Sequence, residues 1–167
     1  MSRGFVKEED QEEPVIIPPR AALPVGTINY VTPKGLAELK LELKELETAR
    51  GLINTENETE KRRAQNLIDG KINLLIERIN SARLLKPEDQ AKDEVRFGAT
   101  VKLKNIDTQQ IQLFQIVGVD EADVKKQKIA FVAPIVKSII GKKINDITEF
   151  NLGNETRKLE IVEIKYL

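Results

Sequence analysis

Apolar residues recur at a three–four spacing twice along the chain. The first run is Leu36, Leu39, Leu43, Leu46 and Ile53, and the second is Ile68, Ile72, Leu75, Ile79 and Ala82. This spacing lays one apolar stripe on each of two helices, the seam of a coiled coil. Only a few residues around "NTENE" separate the runs, so the helices are predicted to be antiparallel, each burying its stripe against the other. Charged residues fill the remaining positions, as a solvated hairpin requires. Thr32 is the expected N-cap of the first helix, with Pro33 at the first helical position, where its missing N–H costs nothing. An arm of about 20 residues reaches roughly 30 Å. Gly70 interrupts the second helix at a cost of up to ~1 kcal/mol against alanine, which close helix packing explains.

Pro87 ends the second helix, and "PEDQAKDEV" forms a polar connection. From Val95 the period changes to two: "ATVKLK", "IQLFQIVG", "KIAFV", "ITEFNL" and "KLEIVEIKYL" read as strands. Turn signals separate them at Asn105–Thr108, Asp120–Asp123 and Gly153–Asn154. One short helix starts at Pro134 and stops at Gly141, with Ile135, Ile139 and Ile140 as its apolar positions. The predicted fold is α+β: an antiparallel helical hairpin over residues 29–86, then a mostly antiparallel sheet with one short helix over 95–167. Residues 1–28, with the charge run "KEEDQEEP" and Pro14, Pro18, Pro19 and Pro24, are expected to form a disordered tail, with a short extended docking of "VIIPP" as the alternative. The hairpin and the sheet are expected to share few contacts.

Composition narrows the chemistry. The 167 residues carry 27 acidic and 27 basic side chains, so no global field draws the chain to nucleic acid or to an anionic membrane. Cysteine and histidine are both absent. This removes disulfides, thiolate nucleophiles, structural zinc and imidazole acid–base catalysis. Any metal would meet oxygen ligands and be a hard ion such as magnesium. No apolar run approaches the ~20 residues of a membrane span, and the N-terminus has no signal-peptide core. A cytoplasmic protein, monomeric and without a membrane partner, is expected.

Between the two helical runs, Glu56, Glu58 and Glu60 alternate just ahead of Lys61, Arg62 and Arg63. Two readings stand side by side. Thr55 and Glu58 match a capping box, glutamates in a first turn favour the helix dipole, and Glu58 with Arg62 has the favourable i,i+4 orientation. Alternatively the three carboxylates form a working tip, through a shared magnesium or through contacts that are not metal-directed.

The helix-opening "VTPKGLAELKLELKEL" resembles that of the bacterial Gre transcript-cleavage factors, and "DGKINLLIERINSARLL" resembles their returning helix. The "VGVDEAD" turn and the "APIVKSIIGKK" helix in the C-terminal half carry the same likeness. The resemblance runs from about Asn29 to Leu167. It implies an FKBP-like C-terminal domain that docks on the rim of the RNA polymerase secondary channel, with Pro134 and Ile135 on the contact helix. It implies further that the coiled coil enters the channel, where tip acids help hold a magnesium ion of the polymerase. The partner is then core RNA polymerase, with nucleic acid met only indirectly, and the chain is no enzyme in isolation.

The family's Gly-Asp-Leu-x-Glu-Asn tip motif is absent here. The hairpin is also shorter than the family's by roughly eight residues per arm, or ~12 Å of reach. A channel-occupying regulator that does not stimulate cleavage therefore stands beside the cleavage stimulator. A peptide-binding module of FKBP type is a remoter alternative resting on fold alone, and direct nucleic-acid binding through "EKRR" or Lys142–Lys143 would be weak and salt-sensitive.

Overall fold

The computed structural model describes residues 13–167. Strand β1 (Asn29–Val31) leads through Thr32 into helix α1 (Pro33–Gly51), and α2 (Glu58–Ser81) returns to a second short strand, β2 (Ala82–Leu84). Thr32 caps α1 as expected, its Oγ1 accepting from the Gly35 N–H at 2.9 Å, with Pro33 in the first turn. α1 has 19 residues and so extends roughly 28 Å. Burial along the hairpin is graded. Val31, Leu39 and Leu75 are buried at the base, with Leu36, Leu43, Leu46, Ile79 and Ala82 packed partly around them. Towards the tip the seam is half-buried at best, and Leu52 is fully in solvent.

The C-terminal unit is a five-stranded sheet in the order β5-β4-β3-β7-β6. Its strands are β3 (Thr100–Asn105), β4 (Ile111–Val117), β5 (Lys128–Ala130), β6 (Ile147–Leu152) and β7 (Glu155–Lys165). Helix α3 (Pro134–Ile139) seals one face with Val136 and Ile139. Alternation places Val101, Leu103, Phe114, Ile116, Leu159 and Ile161 in the core under that helix. The sheet is mixed rather than wholly antiparallel, because β5 runs parallel to β4, Gln115 opposite Lys128. Three residues are too few for a side-chain pattern to reveal strand direction. The same shortness hid the parallel pairing of β1 with β2, Asn29 opposite Ala82.

Two further expectations are corrected. The tail assigned to residues 1–28 lies partly outside the described residues, at 1–12, but its second half is laid along the hairpin. There the side chain of Ile17 sits over Gly70, so the glycine admits the N-terminal segment rather than the facing helix. The helices and strands of the hairpin and the sheet do share little direct packing, but loop residues join the two units through a polar and aromatic seam that the sequence did not lead one to expect. Tyr30 of β1 enters a cluster with Phe97 and Phe131, its ring centroid 5.9 Å and 5.7 Å from theirs, and the two phenylalanines meet edge-on at 5.6 Å. Aromatic pairs at such spacing add stability beyond their buried area.

Candidate functional site: an acidic arm tip on a locked base

At the tip, α2 begins at Glu58 with Asn57 as its N-cap. The Asn57 Oδ1 accepts from the N–H groups of Thr59 at 3.0 Å and Glu60 at 3.1 Å. The cap is therefore Asn57, two residues beyond the predicted Thr55, since an asparagine carbonyl reaches the same orphan N–H groups. Thr55 instead supports the loop, accepting from the Asn57 N–H at 3.3 Å and facing the Glu60 carboxylate at 3.3 Å. Glu58 and Glu60 stand in the first turn, Glu56 precedes it, and all three are exposed. They do not converge: among the described residues no three acidic side chains form a group able to hold a metal ion. Below the tip, Arg50 and Asp69 staple the helices, Nε to Oδ1 at 2.5 Å and Nη2 to Oδ2 at 3.1 Å. That hydrogen bond from Arg50 holds the Asp69 carboxyl below its ordinary range.

On helix α3, Pro134 is exposed at the first position, whereas Ile135 is half-buried and packs against the sheet core. The two candidates therefore differ: of the pair, only Pro134 is open to solvent.

The base of the arm holds a polar seam that sequence reading did not identify. Glu121, in the "DEAD" turn, is buried between the two units. Its Oε1 accepts from the Thr32 hydroxyl, and its Oε2 accepts from the Lys128 Nζ at 2.9 Å. Burial alone would lower the Lys128 pKa, but the hydrogen bond and charge of Glu121 outweigh it and leave that pKa raised. Thr32 thus caps α1 through its oxygen and tethers the C-terminal domain through its proton. Gly35 makes room for this, since a Cβ there would stand 2.6 Å from Glu121 Oε1. Next to it, Asp120 meets two arginines: Arg20 Nε at 3.0 Å and Arg78 Nε at 3.5 Å. Arg20 also grips Glu42 of α1 through both terminal nitrogens, at 2.8 Å and 3.0 Å. This bond to Glu42 does most to raise the Arg20 pKa, which burial opposes. The signal available in the sequence was the run Asp120-Glu121 itself, which reads as turn chemistry until its partners are known.

Comparison with known proteins places the chain in a family. The family model described as "Transcription elongation factor, GreA/GreB, C-term" matches residues 90–166. The chain is similar to a transcription elongation factor GreA of Neisseria meningitidis serogroup B, 36% identical over 115 residues, which cover 68% of this chain and 72% of that one. It is similar also to the GreA of Bartonella henselae, 38% identical over 104 residues, covering 62% of this chain and 66% of that one. Among solved structures, GreA factor homolog 1 (Gfh1) of Thermus thermophilus overlaps 83% of this chain and 99% of its own at 17% identity, with a TM-score of 0.40. A GreA/GreB factor of Nitrosomonas europaea overlaps 84% of this chain and 99% of its own at 17% identity, with a TM-score of 0.41. With the Neisseria relative matched over most of its length, the chain belongs to the GreA/GreB family of transcription elongation factors.

Proposed function

We propose that the protein docks on core RNA polymerase through its C-terminal domain, inserts its arm into the secondary channel, and modulates elongation by occupying that channel. The observation that carries this reading is the locked base. Thr32, Glu121 and the Tyr30 ring cluster hold the hairpin to the sheet domain, so the arm is fixed at its base. An arm held firmly at its base suits insertion into a preformed passage. The hairpin lacks the Gly-Asp-Leu-x-Glu-Asn motif at its tip, which favours occupancy over stimulated cleavage. The protein acts, on this reading, on the polymerase of the cytoplasm and turns over no substrate itself.

The test is binding of the full chain to core polymerase against naked DNA, followed by competition with a cleavage-competent GreA factor. Retention on polymerase, displacement of the competitor and no retention on DNA are expected. Retention on DNA without polymerase binding would overturn the reading. Pro134→Ala is the sharper docking variant, because Ile135→Ala would disturb the core as well as the surface.

A further inference from the structure

One member of the polar seam comes from neither the hairpin nor the sheet. Residues 15–21 precede β1 and lie along the arm, with Ile17 over Gly70 and the Ala21 carbonyl accepting from Arg78 Nη2 at 2.6 Å. Between these contacts Arg20 binds α1 through Glu42 and the C-terminal domain through Asp120, so a single guanidinium spans both units. We propose that this segment is an intramolecular strap that fixes the angle between the arm and the C-terminal domain, with Arg20 as its pin.

The two partners of Asp120 are unequal. Arg20 donates to Oδ1 at 3.0 Å, whereas Arg78 Nε approaches Oδ2 only to 3.5 Å, and that oxygen accepts no hydrogen bond among the described residues. Without Arg20, Asp120 keeps only the looser contact. The pair is also sheltered, with 18% of the Arg20 side chain and 7% of the Asp120 side chain exposed, so salt screens it less than a surface pair. Pro18 and Pro19 fix φ just before the pin, so the strap loses less backbone freedom on docking than an ordinary segment would. Gly70 supplies the seat, because a Cβ there would run into Ile17. A hinge between packed units is set by the contacts that bridge it, and Arg20 adds to the Thr32–Glu121 bond and the Tyr30 cluster a side chain that grips both units at once.

The protein has no cysteine, so two can be introduced for spin labels at exposed loop positions, Asn54→Cys at the tip and Asp107→Cys in the β3–β4 turn. The distance distribution between them is measured in the full chain, without polymerase. A single narrow distance is expected in the parent. Arg20→Gln should lose it, giving a broad or divided distribution, as should Ile17→Ala to a smaller degree, while Arg83→Gln leaves it unchanged. Circular dichroism checks that each variant is folded. A folded Arg20→Gln protein with the parental distribution overturns the proposal. Should Arg20→Gln unfold, Ile17→Ala decides: an unchanged distribution in that folded variant overturns it equally. Because polymerase is absent, failure here leaves the proposed docking untouched.

Discussion

Gly118, at the end of β4, lies so close to Tyr30 that a Cβ at this position would stand 2.6 Å from the Tyr30 carbonyl oxygen and 3.7 Å from the Val31 Cα. The obstacle is backbone, which cannot rotate aside. Gly118→Ala should therefore push β1 away from the sheet domain and cost about 1–3 kcal/mol, as overpacking does. Gly51→Ala is the counterpart: nothing lies within 4 Å of its added Cβ. It should stabilise by up to ~1 kcal/mol through helix propensity. Denaturant midpoints of the two variants moving in opposite directions are the expected result. Equal shifts would show that the Tyr30 contact does not constrain the seam.

The shared seam also sets how the molecule opens. Leu75 is fully buried at the arm base beside Leu39 and Val31. Leu75→Ala should cost about 2–5 kcal/mol. Its effect should spread through Thr32, Glu121 and Tyr30 into the sheet. In hydrogen exchange, amides near Leu39 and Leu75 should open together with those of β3 and β4, while the tip exchanges first. Base amides that open well before the strands would show that the seam does not couple the two units.

Much of this architecture was legible from residue type. The three–four stripes gave both helices, Thr32-Pro33 gave the start of α1, and "ITEFNL" gave β6 to the residue. What stayed hidden depends on contacts between residues far apart in the chain. Arg20 and Asp120 are 100 positions apart and Thr32 and Glu121 are 89 apart. Each looks like ordinary turn, cap or tail chemistry alone. Gly70 was visible as an anomaly, but nothing local tied it to Ile17, whose segment "VIIPP" reads as extended docking only beside the expectation of disorder. At the tip, Thr55 and Asn57 were both competent caps, and only the observed start of α2 distinguishes them. Asn57→Ala should accordingly cost about 0.5–2 kcal/mol, and Thr55→Ala should cost less, as read from urea unfolding.

Acid should weaken the fold in a defined direction. Hydrogen bonds from Arg50, from Lys143, and from Lys165 and Lys102 hold the carboxyls of Asp69, Asp93 and Glu163 respectively below their ordinary pKa values. The folded state therefore binds fewer protons than the unfolded chain in the acid range. The resulting stability is present above the unfolded carboxylate pKa of about 4 and is lost as pH falls through the lower folded values. Asp93 is exposed and Asp69 and Glu163 are only half-buried, so the change should be modest and should shrink in high salt. Denaturation midpoints should stay flat from pH 7 to about pH 5 and fall below about pH 4. Asp69→Asn should remove part of that fall, and an unchanged acid limb in this variant would detach Asp69 from it.

The tip separates the two functional readings most sharply. Glu58 and Glu60 sit in the first turn of α2, where a helix N-terminus favours negative charge without any ligand. Glu56 lies outside that turn, so helix chemistry accounts for it least. A transcript-cleavage assay on a backtracked polymerase complex, run with the parent and with Glu56→Gln, Glu58→Gln and Glu60→Gln, exploits this difference. Glutamine keeps size and hydrogen bonding but removes charge. Weak or absent stimulation by all four proteins is expected, together with undiminished displacement of a cleavage-competent GreA factor. The helix itself should register the change only slightly, with Glu58→Gln and Glu60→Gln each losing about 0.3–1 kcal/mol of dipole stabilisation. Strong cleavage by the parent that collapses in one variant would make that glutamate a residue acting on the polymerase centre, and would replace channel occupancy by stimulation as the activity of the arm.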